Sequence, residues 1–317
     1  METIIPSFVL LRNYSSRCFA KFNKMEYSSS EKRERVESML FLILAVLASS
    51  VLAIVLKYLG SGYGYGVYFF NYVTCAVLAF MTMETKSLWN GDPLPLWLGA
   101  VSGFLYLAAL IVYAHSIRKN GAVLSSVFTR LGVLVPIFVS VVLFGERPTL
   151  LQGLGILVAI LAAVVMNGLP KKGQDHGVTP GLAIVPLLLA LLFNGASDSM
   201  SKIFTQLGAR RDDGLFVFYI FLFAGVFTLA LLLREKQRLT RRDLLLGVVV
   251  GVPNFFSSRL LLAALTELPA FLVYPCYSVG AILVISAASF LLFRERLNRR
   301  QLGAVGMILG ALVLLNL

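Results

Sequence analysis

Apolar residues run along this chain in long blocks, and polar residues gather in short gaps between them. A helix that crosses the hydrocarbon core of a bilayer needs about 20 mostly apolar residues. Ten blocks meet that length, at 39–59, 64–83, 95–116, 121–144, 149–169, 180–207, 214–233, 244–264, 269–292 and 301–317. The gaps carry turn chemistry, as in Asn90-Gly91-Asp92-Pro93 and Lys119-Asn120-Gly121. The longest gap, 170–179, is polar and central, and it separates two groups of five spans. The expected fold is an all-α integral membrane protein with ten transmembrane helices. Its expected parts are a basic, disordered arm at 1–38, a five-helix half at 39–169, a linker at 170–179 and a second half at 180–317. Within the arm, 31–37 reads as a short charged helix at the membrane surface.

The two halves echo each other. Phe144-Gly145-Glu146-Arg147 recurs 149 residues later as Phe293-Arg294-Glu295-Arg296, and the match continues without gaps to Asn167 and Asn316. Gly99-x-x-x-Gly103 likewise falls on Gly247-x-x-x-Gly251 at an offset of 148. Small residues four apart let helix backbones approach closely, so packing is their expected role. An odd number of spans in each half makes the two copies enter the membrane from opposite sides, which predicts an inverted repeat. Glu146 and Glu295 lie in turns, where each is expected to cap the following helix at its positive end.

Composition changes the picture by exclusion. Of 317 residues, 58% are hydrophobic and 14% charged, against about 25% charged in ordinary globular chains. The formal charge of +12 sits mainly between the apolar blocks, where it suits anchoring to headgroups. No soluble basic module is present, so nucleic acid is not an expected partner. Cys18, Cys75 and Cys276 have no paired spacing and read as packing residues. Loop charge leaves orientation open. One side holds 11 basic residues and the other 14, but without the seven in the arm the first count drops to 4. Met25 and Met39 are alternative starts, so the true start decides the balance.

Polar side chains inside spans are costly, and each is a candidate for function. Arg130 lies mid-span beside Ser125, Ser126 and Thr129. It either holds a carboxylate or phosphate of a substrate or pairs internally, with Asp198 as the candidate partner. Arg259 is a second candidate, or an anchor that snorkels to an interface. Asp198 and Lys202, four residues apart, either pair on one helix face or supply an ion- or proton-coupling carboxylate. Asn71, Asn194 and Asn254 offer uncharged hydrogen bonds. Tyr274 and Tyr277 flank Pro275, where a broken span nine would expose backbone carbonyls, and they either stack on a substrate or serve as packing residues. Lys57 and His115 read as interfacial residues.

These features resemble the drug/metabolite transporter superfamily, and its EamA-type members most. The resemblance rests on Pro136 in span four, the apolar stretch 137–144, the Gly145-Glu146-Arg147 turn, and Gln152-Gly153 opening span five. The second copy departs from it, with Arg294 in place of the turn glycine and Ile285 where Pro136 would predict proline. The resemblance implies a secondary transporter with a central cavity and both termini cytosolic, in a prokaryotic plasma membrane. Small multidrug exporters of the superfamily use a buried glutamate in span one. Residues 39–56 contain no acidic side chain, so that mechanism does not carry over.

The expected function is movement of a small anionic or zwitterionic metabolite, such as an amino acid or organic acid, by alternating access. The alternative is a lipid flippase or a non-transporting scaffold on the same fold. An intramembrane enzyme is disfavoured, because His-Glu-x-x-His, Gly-x-Ser-x-Gly and the P-loop motif are all missing. Expected partners are the substrate, membrane lipids and a coupling ion or proton, with a monomer or homodimer as the assembly. No cofactor or metal is called for.

Overall fold

A computed structural model describes residues 34–55, 64–83, 91–120, 122–167, 184–292 and 299–316. All regular structure among them is helical. The helices are α1 Glu34–Val55, α2 Tyr65–Thr82, α3 Leu94–Asn120, α4 Ala122–Leu131, α5 Leu134–Phe144 and α6 Leu150–Asn167. A second series follows, with α7 Ile184–Leu207, a 3-10 turn at Arg210–Asp212, α8 Asp213–Arg234, α9 Arg241–Leu265, α10 Ala270–Leu292 and α11 Arg299–Asn316. Seven of these, α1, α2, α3, α7, α8, α9 and α10, are long and apolar enough to cross a membrane. Shorter apolar stretches occupy Phe128–Phe144, Leu150–Val165 and Leu302–Leu315. Large apolar side chains such as Phe138, Leu143, Leu188 and Val226 stand exposed on the outside, which suits a lipid solvent and not water.

Helix boundaries depart from the sequence reading in three places. The charged segment near Glu37 is not a separate surface helix. From Glu34 onward it is the first turn of α1, because no Gly or Pro intervenes to stop the helix. Span four is not one helix. It breaks at Gly132 and Val133, where Pro136 has no N–H for the Gly132 carbonyl and its ring crowds that carbonyl. Val135 N–H takes the carbonyl instead, at 3.0 Å, in a tighter turn. Span nine, by contrast, is unbroken through Pro275. That proline lies in the second turn of a helix whose first bonds, from Leu272 and Val273 to the Pro269 carbonyl, are in place. The arm up to residue 33, the linker 168–183, Lys57 and the second turn with Glu295 lie outside the described residues.

Glycines set the helix crossings. A Cβ added at Gly103 would meet the Ala224 amide at 2.7 Å, so α3 lies backbone to backbone on α8. A Cβ at Gly251 would meet Thr74 Cβ at 2.7 Å, which places α9 on α2 in the same way. At Gly195 it would meet Val135 Cβ at 2.6 Å, fixing α7 against the break between α4 and α5. Gly155 of α6 packs on Leu314 and Leu315 of α11. Each of these crossings joins a helix before residue 168 to one after residue 183.

Candidate functional site: a polar cavity between the two halves

A cavity of about 290 Å³ lies among α1, α3, α4, α7, α8, α9 and α10, with Val133 of the α4–α5 break on its wall. Small-molecule sites run from roughly 300 to 1,000 Å³, so this one suits a small solute. Arg130, Asn194, Asp198, Asn254, Tyr274 and Tyr277 all line it. Sequence spacing alone scatters these residues over four helices, and the tertiary packing brings them to one chamber. Arg130 and Asp198 are half-buried, and neither forms an ion pair with another described residue. The cavity lining therefore includes one guanidinium and one carboxylate, from different halves of the chain, with no ion-pair partner for either among the described residues.

The surrounding hydrogen bonds fix the other polar groups. Asn194 Nδ2 donates to the Thr129 carbonyl at 3.5 Å, beside the break in span four. Asn254 Nδ2 donates to Asn71 Oδ1 at 3.1 Å. Asn71 is buried on α2 behind Asn254 and is not part of the lining. The Tyr277 hydroxyl and Ser257 Oγ share a 2.7 Å hydrogen bond, and the Tyr274 hydroxyl donates to the Asp198 main-chain carbonyl.

Two other sequence candidates lie elsewhere. Arg259 faces Asp213 at the start of α8, with Nη1 3.7 Å from Oδ2, and does not line the cavity. Lys202 does not pair with Asp198, and Arg130 does not either. The Lys202 ammonium lies 2.7 Å from Glu146 Oε1. Glu146 in turn does not cap the helix that follows it. Thr149 and Gln152 do that, with Gln152 N–H donating to Thr149 Oγ1 at 3.2 Å and Thr149 N–H to Gln152 Oε1 at 2.9 Å. The Glu146 carboxylate instead accepts the Ala270 N–H at 2.9 and 3.2 Å and so caps α10. A residue just past one helix is free to reach a distant one when the next helix supplies its own cap.

The cavity also holds hydroxyls that the sequence reading passed over. These are Ser49, Ser201, Ser257, Ser258 and Ser278, together with Tyr106. The repeat offset is the signal that finds several of them. Ser49 lies 149 residues before Asp198 and Thr129 lies 149 before Ser278, while Tyr106 lies 148 before Asn254. All six residues line the cavity. No group of three or more His, Cys, Asp or Glu side chains among the described residues is placed to hold a metal ion.

A bundle of apolar helices with a charged chamber inside it is the form of a multi-pass membrane transporter. The model of the EamA-like transporter family matches residues 37–168 and again 181–317, and the chain belongs to that family. An uncharacterised protein of Haemophilus influenzae is 23% identical over 240 residues, covering 73% of this chain and 80% of its own. One solved crystal structure shares the fold with a TM-score of 0.70 at 14% identity, covering 87% of this chain and 95% of its own.

Proposed function

We propose that this protein is a secondary transporter that moves a small zwitterionic or anionic metabolite by alternating access in a prokaryotic plasma membrane. The observation that carries the reading is the joint placement of Arg130 and Asp198 on one cavity, neither with an ion-pair partner among the described residues. An amino acid is the simplest solute that satisfies both: its carboxylate takes the Arg130 fork and its ammonium takes Asp198. The ten apolar segments serve as ten spans in two inverted halves. Support comes from the double match to one family model and from the reciprocal glycine crossings of α3 on α8 and α9 on α2. Because the two charges belong to different halves, a solute that binds both ties the halves together. That gives the occupied and empty cavities different preferences for relative position, which alternating access requires.

The test is uptake into proteoliposomes of labelled L-amino acids and organic acids. Arg130→Ala is expected to lower saturable uptake at least about tenfold, the scale of one lost hydrogen bond to a charged group. Arg130→Lys keeps the charge without the fork and falls between. Normal uptake by Arg130→Ala would remove the anion-binding role. Lipid movement without solute flux would favour a flippase instead.

A further inference from the structure

Asp198 and Lys202 stand four residues apart on α7, a spacing at which a carboxylate and an ammonium meet on one helix face. They do not meet. The Lys202 side chain, 3% exposed, is held by Glu146 at 2.7 Å. Glu146 is itself fixed at the far side by the Ala270 amide of α10. The carboxylate thus sits between a buried ammonium and the N-terminal end of a helix. A buried ammonium without a partner is strongly unfavourable; Lys202 takes Glu146, although Asp198 stands at the i−4 position that favours pairing along one helix face. Its pairing with Glu146 is what leaves Asp198 on the cavity wall without an ion-pair partner among the described residues.

We infer that Glu146 is a positioning residue that sets the charge selectivity of the cavity. By holding Lys202, it keeps the Asp198 carboxylate open to the ammonium group of a zwitterionic solute. The inference rests on the reading of Arg130 and Asp198 as the two poles of the site. When the charge of Glu146 is removed, Asp198, four residues back on the same helix face, is the carboxylate that the helix itself offers Lys202. The cavity then keeps Arg130 as its single free charge and selects simple anions over zwitterions. Glu146 never touches the solute, and it acts through Lys202.

The experiment compares labelled L-amino acids with the matched 2-hydroxy acids, in which a hydroxyl replaces the ammonium, using the full chain in proteoliposomes. The amino acid that the wild type takes up best carries the measurement. Glu146→Gln keeps an oxygen for the Ala270 amide but no charge for Lys202. Its half-saturating concentration for the amino acid is expected to rise about tenfold or more, while that for the hydroxy acid holds or falls. The double variant Glu146→Gln/Lys202→Met, which removes both charges of that pair, is expected to recover the amino-acid preference.

A uniform loss for both solutes in Glu146→Gln, not rescued by Lys202→Met, would overturn the inference and leave Glu146 a cap for α10. Should Glu146→Gln not fold, the double variant decides alone: near wild-type amino-acid affinity supports the inference and loss of it overturns it. Asp198→Asn isolates the underlying reading. If it takes up the amino acid like wild type, or if wild type takes up none, the two-pole site fails and the inference with it.

Discussion

Arg130 and Arg259 carry the same charge inside the bundle, and their surroundings give them different work. Arg130 opens on the cavity, whereas Arg259 has Asp213 at 3.7 Å with side-chain exposures of 31% and 9%. Arg259→Ala is therefore expected to lower thermal stability by on the order of 1 kcal/mol, a partly exposed pair being screened by solvent. Its half-saturating concentration should stay at the wild-type value. A large change in affinity with unchanged melting would return Arg259 to the site. The cost of burying charge marked both arginines in the sequence as candidates. What separated them is the rotation of α4 and α9 about their own axes, and neighbouring helices decide that rotation.

At the scale of the helix, close approach is the organising fact. Gly195 sits next to Asn194 and one turn before Asp198, and its α-carbon faces the break between α4 and α5. Gly195→Ala would put a methyl 2.6 Å from Val135 Cβ, driving α7 away from Arg130. A loss of about 1–3 kcal/mol is expected from overpacking, read as a lower melting temperature and as reduced uptake. Gly153 on α6 has nothing within 4 Å of the same added atom, so Gly153→Ala should behave as wild type. Equal effects of the two substitutions would refute the crossing. The proline signals in the sequence were ambiguous for a related reason. Pro136 and Pro275 each remove one N–H, but the helix that carries Pro275 has its first N–H, that of Ala270, capped from a distant turn by Glu146.

For the whole molecule, the close glycine crossings named above run between the halves and not within them. Neither half has a finished surface alone, although each matches the family model by itself. Chains cut within 168–183 are expected to restore uptake when both pieces are made in the same cell. Either piece alone should be degraded. Transport by a single half would show that the cavity does not need both. The charge of the turns is also uneven. Arg234, Lys236, Arg238, Arg241 and Arg242 stand exposed around the α8–α9 turn, whereas at the opposite end of the bundle Arg210 is paired with Glu267 and Arg211 lies 3.9 Å from Asp212.

The amino-acid sequence by itself determined the solvent, the helical form and the register of the duplication. Each of these is written in local quantities: the length of apolar blocks, the chemistry of turns, and identities at a fixed offset. The twin Glu-Arg turn belongs to that set, and each copy falls inside one of the two matches to the family model, at 37–168 and 181–317. Only the tertiary structure decided which carboxylate receives Lys202. Asp198 is the neighbour by sequence and Glu146 the neighbour in space, and a buried ammonium follows space, because its electrostatic energy depends on distance through the protein and not along the chain. The same reason brings Arg130 and Asp198, far apart in the chain, to one cavity, with no ion-pair partner for either among the described residues.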